Sequence, residues 1–269
     1  MRTDADEAAR KFAAVNTTMP IALLCQALAR ILSDDRDGTD ALLEDVARSA
    51  DEVGSHEVQA DALCERSLLA MADGDWSRAE ILAAQARDAL RPIGMETLLA
   101  SAVLARAALH RGDFTAARRE LVSAQRLRPL LTYAMPHLAV QARIQLIHVH
   151  LALADIAGAR TLMREIDEIL KHRPGLGTLV DEARELRARL SSERTPASPG
   201  MSSLTTAELR VLPMLATHLS FSEIGAEMFL SPHTVKSQAM SIYRKLGASS
   251  RNQAVIRSRE LGLLDGIAP

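Results

Sequence analysis

One stretch near the C-terminal end of the chain carries side chains that could bind a polyanion. Between Ser231 and Arg259 there are six cations and no Asp or Glu: Lys236, Arg244, Lys245, Arg251, Arg257 and Arg259. Residues 201–269 hold seven Lys/Arg against five acids, whereas residues 1–200 hold 25 against 29. Clustered cations neutralise phosphates and release their counterions. We therefore expect a negatively charged partner to bind this segment and to avoid the rest of the chain.

The same stretch contains the start and stop signals of one helix. Ser231 and Pro232 are typical of a helix start, and Gly247 is typical of a helix end. Four apolar residues between them are spaced to bury one face: Val235, Ala239, Ile242 and Leu246. The pattern predicts a helix with one face in a core and the other face free for a partner.

Three capping boxes predict three more short helices around this one. They begin at Thr205, Ser220 and Ser250, each followed three residues later by Glu or Gln. The helix that follows Ser220 ends only a few residues before Ser231, so the two are predicted to form a helix-turn-helix. Four short helices over residues 204–264 are enough to bury one small core.

These residues resemble the LuxR-type DNA-binding domain. The resemblance rests on Leu204-Thr205, Glu208, Val211-Leu212, Ser222-Glu223-Ile224, Leu230-Ser231, Thr234-Val235-Lys236, residues 242–247 (IYRKLG), Arg251 and Ala254-Val255. It implies a sequence-specific transcriptional regulator whose recognition helix, residues 231–246, enters the major groove of double-stranded DNA. It also implies a homodimer on a two-fold symmetric operator, with RNA polymerase as a further partner.

The resemblance assigns an expected role to individual side chains. The base-contacting residues are expected to be Lys236, Ser237 and Met240. The phosphate-contacting residues are expected at or beyond the helix ends: His233, Thr234, Arg244, Lys245 and Arg251. The dimer interface is expected on the fourth helix: Ala254, Val255 and Arg257.

The N-terminal part of the chain contains an internal repeat. Residues 74–79 (GDWSRA) recur as residues 112–117 (GDFTAA) and, weakened, as residues 154–159 (ADIAGA), at spacings of 38 and 42. The copies resemble the turn and second helix of a tetratricopeptide-type repeat, in which Gly makes the bend, an aromatic residue packs in the angle and Ala allows close approach. We expect a tetratricopeptide-like stack whose ends are residues 20–31 and 176–190.

The sequence thus predicts an all-α chain with two domains and a linker. Residues 1–190 form the helical-repeat domain, residues 191–203 a flexible linker with two Pro and five Ser, and residues 204–269 the LuxR-type domain. The low aromatic content of 3% also favours helices over a β-rich domain. This organisation is similar to the C-terminal half of the large LuxR regulators that resemble the maltose regulator, without their ATPase.

Several functions are not supported by any motif in the sequence. Phosphate-binding Gly loops and a Gly-x-Ser-x-Gly element are missing, and the spacing of His148 and His150 suits no metal, so we expect no enzyme, cofactor or metal. The chain has no signal core and no run of roughly 20 apolar residues, so we expect a cytoplasmic protein that binds no membrane.

The role of the repeat domain stays open from the sequence. It could bind an effector, either a peptide or a small molecule, dock a protein partner, or only space the dimer. The alternative to a regulator is a protein-interaction scaffold or adaptor whose DNA-binding domain is degenerate or serves partner contacts.

Overall fold

The regular structure of the chain is helical throughout the described residues. The computed structural model describes residues 20–91, 97–131, 135–192 and 204–264. Nine α-helices lie in the described part of residues 20–192, which we call the body: α1 (Pro20–Leu32), α2 (Thr39–Glu52), α3 (His56–Ala72), α4 (Trp76–Leu90), α5 (Leu98–His110), α6 (Phe114–Leu127), α7 (Pro136–Ala152), α8 (Ile156–His172) and α9 (Thr178–Ser192). The predicted all-α fold class is confirmed.

Consecutive helices of the body pack against each other in pairs along the chain. α3 packs on α4, α5 on α6 and α7 on α8, and α5 also contacts α7 across the pairs. Small side chains permit this close approach, and Ala79, Ala83 and Ala86 of α4 are fully buried. A single apolar core includes residues from all nine helices, so each pair covers an apolar face of its neighbour.

The three copies of the repeated motif form the same tight turn before α4, α6 and α8. Gly74 and Gly112 adopt positive φ angles of 82° and 77°, and Ala154 adopts 58° at the equivalent position. The Asp that follows caps the next helix by accepting a hydrogen bond from the N–H three residues on: Asp75, Asp113 and Asp155. The third copy therefore keeps the turn without Gly, at a cost of roughly 1 kcal/mol for a left-handed Ala.

The aromatic residues of the motif differ from one copy to the next. Trp76 stacks on the ring of His110, with the ring centroids 4.4 Å apart and the planes 10° from parallel. Phe114, in the same place of the second copy, is 50% exposed. The resemblance implies an aromatic residue packed in each angle, and Phe114 departs from it.

The two ends of the body meet. Thr178 Oγ1 at the start of α9 donates to the carbonyl oxygen of Ile31 near the end of α1, at 3.5 Å. Next to this contact, a Cβ on Gly177 would lie 1.9 Å from the carbonyl oxygen of Leu32. The sequence predicts residues 20–31 and 176–190 as the ends of the stack. The structure brings these two segments into contact, because Gly177 lets the two backbones approach.

Four further helices form the part of residues 204–264 that we call the head: α10 (Thr206–Leu215), α11 (Phe221–Met228), α12 (Pro232–Leu246) and α13 (Arg251–Glu260). They bury an apolar core of their own, with Leu212, Leu215, Ile224 and Ile242 at its centre. Helix α9 runs through Ser192, and residues 193–203 of the predicted linker lie outside the described residues. No helix in the described ranges is both long enough and apolar enough to cross a membrane.

Candidate nucleic-acid interface

Helix α12 has the boundaries that the sequence predicts. Ser231 Oγ accepts a hydrogen bond from the Thr234 backbone N–H at 3.0 Å, and Pro232 takes the first helical position, where a donor would have no partner. Gly247 ends the helix in the left-handed conformation, with a φ of 64°. The four predicted core positions are all buried: Val235, Ala239, Ile242 and Leu246. One face of α12 is therefore fixed in the core of the head.

The opposite face of α12 brings the three predicted base-contacting residues together. Lys236 and Ser237 are exposed, and Met240 is 47% exposed. They line one shallow, open depression with three other residues of the helix: His233, Ser241 and Arg244. α12 contains no carboxylate that would repel phosphate. An exposed helix with cations along one face has the shape and charge to enter the major groove of DNA.

Three of the predicted phosphate-contacting residues lie at or next to this face. His233 is exposed in the first turn of α12, and Thr234 is half-buried beside it, with its Oγ1 2.8 Å from Ser231 Oγ. Arg244 is exposed in the last turn, and its guanidinium donates to Ser241 Oγ at 3.3 Å. The N-terminal end of a helix carries partial positive charge, so His233 and Thr234 lie where an anion is favoured.

The other two predicted phosphate-contacting residues have partners inside the head. Lys245 Nζ lies 2.7 Å from Glu208 Oε2 in a largely buried ion pair. The Arg251 guanidinium donates to four backbone carbonyl oxygens at the end of α10 and in the turn after it: Leu215, Leu219, Met214 and Thr217. The charged groups of both side chains bind tertiary partners that are 32–37 residues away in sequence, so neither group is presented on the surface of the head.

Glu208 connects the start of α10 to the end of α12. Burial alone would raise the pKa of Glu208, but hydrogen bonds from Lys245 and from the Thr205 backbone N–H hold that pKa below its usual value. Thr205 Oγ1 accepts from the Glu208 N–H in return, so the predicted capping box is formed. The carboxylate therefore caps one helix and neutralises a cation of the other.

The turn between α11 and α12 depends on a glycine that sequence reasoning missed. A Cβ on Gly225 would lie 2.6 Å from the carbonyl oxygen of Leu230, so only Gly permits this approach. Phe229 ends α11 in the left-handed conformation, with a φ of 56°, and its side chain is 96% exposed. The signal for this turn is weak in the sequence, since a left-handed Phe is uncommon.

The predicted dimer contacts are not all on the surface of the head. Ala254 and Val255 are buried in the head's own core, because α13 packs these residues against its neighbours. Arg257 is exposed and lies 3.3 Å from Glu260 of the same helix. Ile256, which the sequence analysis did not single out, is 48% exposed. The exposed surface of α13 therefore carries Ile256 and Arg257.

The head also contacts the body through a buried group of charges. Glu165 Oε1 on α8 accepts a hydrogen bond from the Thr206 N–H at the start of α10, at 3.0 Å. Glu165 Oε2 lies 3.0 Å from Arg143 Nε and 3.4 Å from Arg128 Nε. Arg128 is fully buried and also donates to the carbonyl oxygen of Leu204. We call this group the joint, and none of its residues lies on the exposed face of α12.

The head has the arrangement that defines helix-turn-helix DNA-binding domains. α11 and α12 are joined by a short turn, and α12 exposes cations on the face that the core leaves free. In the described ranges, no three His, Cys, Asp or Glu side chains are grouped so that they could hold a metal ion.

Comparison with known families assigns the head to a particular class of helix-turn-helix. Residues 202–258 match the family of bacterial regulatory proteins described as the luxR family. The chain therefore carries a LuxR-type DNA-binding domain at its C-terminal end, as the sequence motifs predict. No solved structure gives a significant match.

Curated relatives of the chain are transcriptional regulators. YdfI of Bacillus subtilis, a transcriptional regulatory protein, is 31% identical over 135 residues, which are 50% of this chain and 61% of YdfI. The HTH-type regulator Mb0914c of Mycobacterium bovis is 31% identical over 109 residues, or 40% of this chain and 12% of that protein. A nitrate/nitrite response regulator homolog of Haemophilus influenzae is 41% identical over 64 residues, or 24% of this chain and 31% of that protein. The chain thus covers less than two thirds of each of these relatives.

Proposed function

We propose that the chain is a transcriptional regulator that binds a two-fold symmetric operator as a homodimer. α12 lies in the major groove in this proposal, with Lys236, Ser237 and Met240 toward the base edges. Lys236 donates to guanine acceptors, Ser237 donates or accepts at a base edge, and Met240 contacts a thymine methyl group. His233, Thr234 and Arg244 contact phosphates beside the groove.

The observation that carries the proposal is the outer face of α12. Its cations are exposed and collected on one side, and the opposite side is fixed in the core of a domain that matches the luxR family. Because Lys245 and Arg251 have partners inside the head, the proposal assigns the phosphate contacts to His233, Thr234 and Arg244. Ile256 and Arg257 on α13 supply the dimer contact in place of the buried Ala254 and Val255.

The body is proposed to act as a tetratricopeptide-like domain that receives a signal or docks a partner such as RNA polymerase. The repeated turns with their Asp caps, and the stacked helix pairs, support this assignment. The named relatives are regulators, and no enzymatic activity forms part of the proposal.

The test compares Lys236→Ala with Lys171→Ala, an exposed lysine of α8 in the body. Duplexes selected from a random pool by the purified full chain provide the operator, and fluorescence anisotropy measures affinity for the selected and for random duplexes. Lys236→Ala is expected to reduce discrimination between them by about 1–3 kcal/mol, and Lys171→Ala to leave it unchanged. Affinity for both duplexes falls steeply with salt.

Two results contradict the proposal in different ways. An equal loss of affinity on selected and random duplexes places Lys236 on a phosphate and removes its base contact. Failure of the unmodified chain to bind any duplex in dilute salt leaves the scaffold or adaptor as the function of the chain.

A further inference from the structure

A shallow, open cavity of about 330 Å³ lies on the body where α4, α5, α7 and α9 meet. This volume is at the lower end of the range of roughly 300–1,000 Å³ that small-molecule sites occupy. Trp76, Leu109 and Leu151 give it apolar walls. The cavity lies at the repeated turns, since Trp76 follows the first turn and His110 precedes the second.

Two guanidinium groups face this cavity without a carboxylate partner. The Arg106 side chain donates to Gln145 Oε1 at 2.5 Å and lies 5.4 Å from the centre of the Trp76 ring. Within the described ranges, no carboxylate oxygen lies within 4.0 Å of a nitrogen of Arg106 or Arg189. Burial lowers the pKa of Arg106, and the distant charge of Glu182 offsets this only in part. Arg106 is therefore a poorly solvated cation without a direct counter-charge.

Other charges near the cavity oppose these two cations, but none makes a direct ion pair with them in the described residues. Glu182 Oε1 lies 3.9 Å from His148 Nε2, and it is the acid that acts on Arg106. Helix ends also bring partial negative charge, about half an elementary charge each. Two carbonyls at these ends already accept turn N–H groups at 3.0 Å, Leu109 from Gly112 and Leu151 from Ala154. An anion would therefore be held in the cavity by direct pairing with Arg106 and Arg189, and not by a net positive charge around it.

We propose that this cavity binds a small organic carboxylate. The carboxylate pairs with Arg106 and Arg189, because the planar guanidinium matches its two oxygens. The apolar part of the ligand lies against Trp76, Leu109 and Leu151. In the proposed regulator this carboxylate is the effector. Only this biological role rests on the proposed function, and the binding site itself does not.

Trp76 serves as the fluorescent probe for this test, because the chain contains a single Trp. Intrinsic fluorescence of the full chain is followed during titration with benzoate at constant ionic strength. We expect a saturable change with a dissociation constant on the order of 1 mM or below, as suits a ligand of this size. Benzyl alcohol, which has the same ring without the charge, is expected to produce no saturable change.

Two substitutions tie the signal to the cavity. Arg189→Gln and Arg106→Gln are each expected to weaken benzoate binding at least tenfold. Arg189 is exposed on α9, so its replacement leaves the fold intact even if Arg106→Gln does not fold. Arg48→Gln, at an exposed residue of α2, is the matched control and is expected to bind benzoate as the unmodified chain does.

Several results overturn the carboxylate site. They are no saturable change with benzoate, an equal response to benzyl alcohol, or an Arg189→Gln variant that binds as tightly as Arg48→Gln. Saturable binding of inorganic phosphate without binding of benzoate also overturns it, in favour of a phosphate site. Trp76 lies in the body, so its fluorescence reports on ligand binding there and not on DNA binding by the head. A negative titration with benzoate is therefore distinguishable from a failure of the chain to bind DNA.

Discussion

Arg251 allows a direct test of how the structure reassigns a residue that the sequence places on DNA. Its guanidinium donates to the carbonyl oxygens of Met214, Leu215, Thr217 and Leu219 at distances between 2.6 and 3.1 Å. The last carbonyls of α10 have no partners within their own helix, and the negative end of the helix dipole favours a cation there. We therefore expect Arg251→Gln to destabilise the head.

The expected size of the loss follows from these contacts. Hydrogen bonds to charged groups contribute about 1.5–3 kcal/mol each, but four bonds from one guanidinium are not additive. The shorter, neutral amide of Gln replaces one or two of them at most. We expect the free energy of unfolding of the head to fall by about 3 kcal/mol, with the body unchanged.

Hydrogen exchange read by mass spectrometry on the full chain separates the two parts. A loss of about 3 kcal/mol corresponds to a loss of protection of roughly 100-fold for amides of α10 and α12 that exchange by unfolding of the head. Arg259→Gln is the matched control, because Arg259 is an exposed arginine of the same helix. That variant is expected to change stability by less than about 0.5 kcal/mol.

One outcome would refute the structural role of Arg251. If Arg251→Gln keeps full amide protection in α10 while its affinity for DNA falls and its salt dependence becomes shallower, the guanidinium contacts phosphate in the complex. The four carbonyl bonds would then contribute little to stability, and the original prediction from the sequence would stand.

Two further predictions concern buried carboxylates. Burial would raise the pKa of Glu165, but the charges of Arg128 and Arg143 hold this pKa below its usual 4.5. The contribution of Glu165 to the stability of the joint is therefore complete above pH 4.5 and is lost as the pH falls through the lowered pKa. Glu165→Gln is expected to cost the joint about 3 kcal/mol at neutral pH, measured as exchange at Thr206. Burial raises the pKa of Glu65 to about 7, so the contribution of Glu65 to the stability of the body falls as the pH rises from 4.5 to 7. Urea unfolding at pH 8 is expected to show that Glu65→Gln stabilises the body.

The local structure of the chain was predictable because its signals are local. Thr205 and Ser220 form two of the three predicted capping boxes, since the two partners of each box are three residues apart. At the third, Ser250 caps α13, but Gln253 Oε1 accepts from the Ser249 N–H in place of the Ser250 N–H. The Asp caps after the repeated turns follow the same logic. Helix α12 begins and ends where the sequence predicts, because Ser231 and Gly247 act on the residues next to them.

The side-chain partners of the cations were not predictable, because these partners are distant in sequence. Charge and helix position alone favour DNA for both Lys245 and Lys236. Glu208, which binds Lys245, is 37 residues away, and no spacing rule connects the two. The same applies to Glu165 and Thr206, which are 41 residues apart. Lys236 differs only because no tertiary partner approaches the outer face of α12 in the described residues.

The contact between the ends of the body was unpredictable from the repeat itself. A repeat pattern specifies how each helix pair packs on the next but not how far the stack curls. Here the curl depends on Gly177, whose missing side chain lets α9 approach the end of α1. Glycine in a loop is too common to indicate such a contact from the sequence.

The buried contacts around α10 connect the body to helix α12. Glu165 of the body accepts a hydrogen bond from the Thr206 N–H at the start of α10, and Glu208 in the same first turn binds Lys245 at the end of α12. Both carboxylates hold pKa values below their usual range, so each is charged when it makes its contact. Helix α8 is therefore linked to α10 directly, and through Glu208 to α12. The outer face of α12 is exposed, and the joint does not cover it.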